Sequence, residues 1–363
     1  MDIQFDKFNS EQNLLAQRKL FVECFPETNG TPVISEEHYL WKFKSFPCKD
    51  KERAYEYVAI IDDELIGYYA AIPYEYKLDG KIVSAAMVCD VMTGIKARGK
   101  GVFTKLGNYS TEEFRKEGLA FSTGYPIRPE VIPGHKKVGW SFPFQIPMYG
   151  KFLRLNAFLH NRRKAFLIPF ANLAIYVYNT VFKIIPQSGN HMCVERYDAS
   201  QIAQIPGFPE FIQAWQADTP ISLNKSIDFF SWRLGAPDKQ YEIIVLRDIR
   251  NQRICGYSIV SKISKESVPC LGVMDFILLN DSKGYSGSLL REIENTAIKN
   301  DCELILMMML HHKAMHYKIK WSGFLKTPFP FSFIIKQFDE SIDSNLLFEE
   351  NSWDLMWIDS DDL

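Results

Sequence analysis

Residues Val88–Leu106, VCDVMTGIKARGKGVFTKL, combine the parts of an anion-binding site: an apolar run of strand type, a basic glycine-rich turn, and the opening of a helix. A diphosphate can approach backbone N–H groups only where no Cβ intrudes, and Gly99 and Gly101 clear that approach at the start of the helix. Arg98 and Lys100 add positive charge, and the helix macrodipole adds roughly half a unit more at its N-terminus. The chemistry such a turn supports is the holding of a diphosphate group.

No Gly-Lys-Ser/Thr follows at Walker A spacing, and the third glycine of the Rossmann fingerprint is missing. The stretch instead resembles motif A of the GCN5-related N-acetyltransferases (GNAT), whose pattern is Gln or Arg, two residues, Gly, one residue, then Gly or Ala. Lys96, Gly99 and Gly101 stand at those places, Lys96 being a basic variant of the first. The resemblance implies that the turn holds the pyrophosphate of acetyl-CoA as co-substrate and that Val102, Phe103 and Thr104 contribute further amides. It also implies that backbone near Met92 and Thr93 pairs with the pantetheine arm. Downstream, Ala120–Thr123 reads as the next parallel strand. His135-Lys-Lys-Val-Gly139-Trp140 resembles the family's closing Tyr-x-Lys-x-Gly-Phe box, with His135 where the box carries tyrosine. The family's upstream asparagine has no counterpart in Pro126-Ile-Arg-Pro129.

Acetyl transfer to an amine needs a neutral nucleophile, a route for its proton, and a donor for the departing thiolate. Asp90, a carboxylate in an apolar strand, is a candidate general base or holder of an acceptor ammonium, with a structural ion pair as the competing reading. His135 is a candidate donor because an ordinary imidazole titrates near pH 6.5. Tyr149 and Tyr125 are further donors. The acidic segment ending Asp359-Ser-Asp361-Asp-Leu363 reads as a frayed tail, with its carboxylates as alternative binders of a cationic acceptor. His311, His312 and His316 read as helix surface, and no metal is expected.

The elements that must position these groups form a weak internal repeat. Trp41 recurs as Trp232 (232 − 41 = 191), Tyr55 as Tyr241 (186), Gly67-Tyr68 as Gly256-Tyr257 (189), Asp90 as Asp275 (185) and Gly139-Trp140 as Gly323-Phe324 (184). Five collinear pairs predict an α/β chain of two tandem GNAT-like domains, each a mixed twisted sheet flanked by helices. The expected division is 1–155, binding acetyl-CoA; 156–190, an apolar linker helix; 191–345, a degenerate copy; and 346–363, an acidic tail. Asp62-Asp63 and Asp79-Gly80 predict hairpin turns. The second turn, Asp281-Ser-Lys-Gly284-Tyr-Ser-Gly287, lacks Gly-x-Gly in register, so one cofactor site is expected.

The linker contains Ala165–Phe182, 18 residues without a charge behind Arg162-Arg163-Lys164. A helix buried between the domains is expected there; an interfacial helix with its basic edge on anionic lipid, and a membrane span, stay open. With 47% apolar and 24% charged residues the composition is that of a soluble globular protein, and a formal charge of −2 gives no general attraction for nucleic acid. The seven cysteines show no CxxC pair, and the N-terminal residues lack a secretory pattern, so a reducing cytoplasm is expected, with peripheral membrane contact through 165–182 left open. The expected activity is N-acetyl transfer to a small amine or amino sugar in surface polysaccharide synthesis, by direct attack on the thioester through a tetrahedral intermediate. The alternatives are a peptidoglycan-bridge type aminoacyl transferase and a non-catalytic module binding acyl-CoA or a partner.

Overall fold

The computed structural model describes residues 3–47, 55–183 and 191–361. In chain order β1 (Gln4–Lys7), α1 (Ser10–Cys24) and α2 (Glu36–Lys44) lead into a meander of β2 (Tyr55–Ile61), β3 (Glu64–Leu78) and β4 (Lys81–Thr93). Then come α3 (Val102–Lys116), β5 (Phe121–Gly124), α4 (Ile132–Lys137), β6 (Ser141–Ile146), β7 (Met148–Phe152), α5 (Asn156–Asn161) and α6 (Ile168–Lys183). Next, β8 (Met192–Asp198), α7 (Phe208–Ala217), β9 (Ile221–Leu223) and α8 (Ile227–Leu234) precede a second meander of β10 (Tyr241–Asp248), β11 (Arg253–Lys265) and β12 (Val268–Leu278). The chain closes with α9 (Ser286–Lys299), β13 (Leu304–Met308), α10 (His311–His316), β14 (Leu325–Lys326), β15 (Phe331–Gln337), α11 (Ser344–Phe348) and β16 (Trp353–Asp354).

The expected pair of α/β units, each a mixed sheet with helices, is present, but the units are interleaved in sequence. The first comprises Met1–Gln145, Gly235–Asp238 and Ser332–Ser352; the second comprises Ile146–Leu234, Lys239–Phe331 and Trp353–Leu363. This differs from the contiguous blocks 1–155 and 191–345, and the reason is strand exchange. The first sheet runs β1-β2-β3-β4-β5-β15-β6 and the second β8-β10-β11-β12-β13-β7-β14. In each, the fourth and fifth strands are parallel (β4 with β5, β12 with β13), and the sixth strand, antiparallel to the fifth, comes from the other half of the sequence.

The repeat pairs fall on matching elements. Gly67-Tyr68 lies in β3 and Gly256-Tyr257 in β11, while Gly139 (φ 87°) and Gly323 (φ 85°) are both left-handed. Asp62-Asp63 and Asp79-Gly80 form two-residue hairpins with positive φ at both central residues, as type I′ geometry requires.

Two sequence expectations fail on burial. Trp353, Leu355, Met356, Trp357, Ile358 and Asp359 are core residues of the second unit, so the segment is not a frayed tail. Arg233 Nε donates to the Ile358 carbonyl at 3.1 Å and its guanidinium also holds the Ser360 carbonyl. Leu363 lies outside the described residues. The 165–182 segment does form a helix, but only 6% of it is buried, so it is not a core helix between the domains.

Candidate active site

The site in the first unit begins with a break in strand pairing. Along the β3–β4 ladder Tyr68 pairs with Met92 and Ala70 with Cys89, so Asp90 and Val91 oppose the single residue Tyr69. This is a β-bulge, and Asp90 occupies its left-handed position at φ 47°. On the other edge β4 pairs with β5 only from Ala85 to Val88, which matches Phe121 to Gly124. Beyond Val88 the two strands part, among the described residues.

The turn that follows is held from below. Gly94 N donates to the Ile66 carbonyl (2.9 Å), Ile95 N to Glu23 Oε1 of α1 (2.6 Å), and Lys100 N to the Ala97 carbonyl (3.3 Å). Buried Ala97 and Val102 anchor it in the apolar core. Gly99 (φ 76°) and Gly101 (φ 78°) are both left-handed and exposed, and nothing among the described residues lies within 4 Å of a Cβ built on either. Gly101 starts α3 with no side-chain cap, so the first-turn amides of Val102, Phe103 and Thr104 lack intrahelical partners. Lys96, Arg98 and Lys100 are exposed around them. All the turn residues singled out in the sequence converge here.

The strand-end residues divide. Met92 is buried, whereas the Thr93 carbonyl, expected to pair with a pantetheine amide, accepts from Cys24 Sγ (3.5 Å) and Arg98 Nε (3.4 Å). Thr93 Oγ1 is buried without a hydrogen-bond partner among the described residues.

Asp90 is ion-paired: Lys42 Nζ of α2 lies 2.8 Å from its Oδ1, with both side chains about nine-tenths buried. His38, one turn earlier on the same face, is pushed down to about 4 by burial and then by the Lys42 charge. Neither His38 nor Lys42 was singled out from sequence, although their four-residue spacing behind the Ser35 cap places both on one helix face.

His135 is corrected as a proton donor. It sits in α4, edge-on to Phe103 at 5.2 Å and to Trp140 at 5.7 Å, and its Nδ1 has no hydrogen-bond partner among the described residues. Burial pushes its pKa down to about 4, so near neutrality it is a neutral imidazole and not the acid form. Gly134 shows why the helix is there: a Cβ on it would stand 2.6 Å from the Phe103 ring, so the His135–Trp140 box packs α4 onto the first turn of α3. Tyr149 is corrected in place, being a fully buried residue of the second sheet opposite Met307, because its strand is the exchanged one. Tyr125 follows Gly124 at the point where β5 ends, and its ring packs at a tilt of 58° against Phe333, 5.6 Å away, within the first unit.

The equivalent region of the second unit keeps the bulge and loses the turn. Ile259 pairs with Asp275 and Val260 with Val273, leaving Met274 extra. Asp275 is fully buried between Lys225 Nζ, at 2.9 Å, and the Tyr257 hydroxyl. Asn280–Tyr285 forms a tight 3₁₀ turn, and neither its Gly284 nor Gly287 at the start of α9 is left-handed. Asp281 places a carboxylate there, kept below its usual pKa by Arg253 and Ser282.

Residues 10–142 match the acetyltransferase (GNAT) domain family. The match spans just over a third of the chain, and this part is similar to an acyltransferase domain of that family. Across the whole chain the GNAT-like fold continues in solved structures. A probable N-acyltransferase from Enterococcus faecalis V583 is similar over 93% of this chain and 73% of its own, at 11% identity and TM-score 0.65. A GCN5-related N-acetyltransferase from Anabaena variabilis ATCC 29413 covers the same shares at 14% identity and TM-score 0.64. Saccharomyces cerevisiae N-myristoyltransferase, solved with bound myristoyl-CoA, covers 92% of this chain and 79% of its own at 10% identity and TM-score 0.60. No curated protein matches this chain in sequence.

Proposed function

We propose that this chain is a tandem GNAT enzyme that moves an acetyl group from acetyl-CoA to a small primary amine, with an amino sugar of a surface-glycan precursor as the acceptor class. The observation that carries the reading is the pair of left-handed glycines, Gly99 and Gly101, opening the uncapped end of α3. A phosphate there meets several converging N–H groups, the positive end of a helix and three flexible cations. The parting of β4 from β5 after Val88 supports an extended amide-bearing arm entering by strand-like pairing.

In the transfer the C–S bond breaks as a C–N bond forms, the amine releases a proton and the sulfur takes one up. Tyr125, at the parting of β4 and β5, is the donor this reading assigns to the sulfur. Asp90 is assigned a positioning role: its pair with Lys42 holds the bulge that opens the strand edge. The second unit, with Asp281 in its turn, takes no CoA.

Calorimetry of the purified chain with acetyl-CoA, CoA and desulfo-CoA is expected to show one site per chain, followed by CoA release when amino sugars, and not their hydroxy analogues, are added. Tyr125→Phe is expected to lower kcat by about 100-fold with acetyl-CoA affinity retained. No binding at millimolar acetyl-CoA would overturn the reading.

A further inference from the structure

The α6 helix is built inside out. Three of its polar side chains face the rest of the second unit: Asn172 Oδ1 accepts from the Leu155 amide (2.9 Å), Asn179 Nδ2 donates to the Phe152 carbonyl (2.9 Å) and the Tyr178 hydroxyl donates to the Gly323 carbonyl (3.3 Å). Its apolar side chains face outward, with Phe166 and Phe170 73% exposed, Leu173 63%, Val177 54% and Val181 57%. These positions repeat every three to four residues and so form one continuous stripe. An ordinary surface helix carries the opposite pattern, and a stripe of this kind marks a surface that something covers.

Charge identifies what covers it. Around the helix, between Phe152 and Glu195, the sequence has no aspartate or glutamate but five lysines and arginines, and between Tyr317 and Phe331 it has three lysines and again no acid. Arg162, Arg163 and Lys164 are exposed just before the stripe. Near its other end the Tyr178–Gly323 bond brings in Trp321, 65% exposed, and exposed Lys320. An apolar stripe with cations and a tryptophan at its margins, on a chain whose overall charge is −2, fits the headgroup–acyl boundary of an anionic bilayer.

We propose that α6 docks the second unit flat onto an anionic lipid surface. A spanning role is excluded by the three hydrogen bonds along its inner face, which fix one side of the helix against protein, where a single span needs its whole circumference in hydrocarbon.

The test is co-sedimentation of the full chain with vesicles of phosphatidylglycerol and phosphatidylcholine, and of phosphatidylcholine alone. Binding at least about 10-fold tighter to the anionic vesicles is expected, with alkaline carbonate releasing the protein. Phe170→Glu with Val177→Glu, both on the exposed face, is expected to abolish binding while the circular dichroism spectrum is kept. Arg163→Glu with Lys164→Glu is expected to remove the preference for anionic lipid. The proposal is overturned by failure to bind anionic vesicles, by resistance to carbonate, or by a dimer in sedimentation velocity that the Phe170→Glu, Val177→Glu variant breaks into monomers, which would mean that a second copy covers the stripe.

Discussion

The two strand-to-helix turns start from the same bulged strand and end differently. After β4 the chain makes two left-handed glycine steps and leaves the helix end bare; after β12 it tightens into a 3₁₀ turn that carries Asp281 and no left-handed residue. The first turn carries Lys96, Arg98 and Lys100 and the second Lys283 beside Asp281, but charge does not explain why only the first leaves its helix end bare. Backbone handedness does, because only glycine enters that region without the penalty a Cβ brings. The aspartates at the two bulges differ in the same sense. Asp90 is paired near the edge of burial, whereas Asp275 belongs to a fully buried network with Lys225, Asp359 and Asp354. The first unit holds its bulge aspartate in an ion pair with Lys42, whereas the second commits its own to a buried network.

The largest effect that would break this contrast is expected at Lys225. Lys225→Met leaves Asp275 and Asp359 without their cation and should cost about 3–5 kcal/mol in urea unfolding, with acetyl-CoA affinity unchanged. A concurrent loss of affinity would show that the second unit does more than brace the fold.

A smaller effect is expected at the first turn. Gly101→Glu puts a Cβ and a negative charge at the proposed phosphate position and should weaken acetyl-CoA binding by about 100-fold, or about 2.7 kcal/mol, without unfolding the chain. Gly284→Glu in the second turn should leave affinity within twofold. Equal losses from the two substitutions would erase the distinction between the copies.

The smallest expected effect is a divergence with pH. His38 and His135 titrate near 6.5 when unfolded but near 4 when folded, so the unfolded chain binds the extra protons and the first unit loses stability as pH falls from 6.5 toward 4. Asp359 is pushed up to about 7 by burial, so the folded second unit holds its proton more tightly and loses stability as pH rises from about 4 through 7. Between pH 7 and 6 the two contributions are each about 1 kcal/mol and opposite in sign. Asp359→Asn should therefore make urea stability fall more steeply on acidification, and His135→Phe should flatten it; the reverse order would refute the assignment.

Much of this was legible in the sequence, for reasons that are local. Asp-Asp and Asp-Gly between apolar alternations specify their hairpins, and Gly-x-Gly after a strand specifies its turn, because left-handed backbone is a property of one or two residues. The strand exchange was not legible, since alternation shows that 148–152 and 331–337 are strands but not which neighbour each pairs with. His135 was misjudged because the box that contains it records spacing and says nothing of the Phe103 and Trp140 rings that desolvate it. The exposure of α6 was hidden for a related reason: an uncharged run looks the same whether its apolar side turns inward or outward, and only the partners of Asn172 and Asn179 decide.

The exchanged strand also sets the order in which the protein can be made. The first sheet needs β15 between β5 and β6, yet 184 residues separate the end of β6 from the start of β15 (331 − 146 − 1 = 184). At the usual pace of a ribosome that is about 10 to 40 s during which β5 has no neighbour on that side. A nascent chain in that interval presents an unpaired strand edge, and slow translation or a truncated transcript would lengthen its exposure to aggregation.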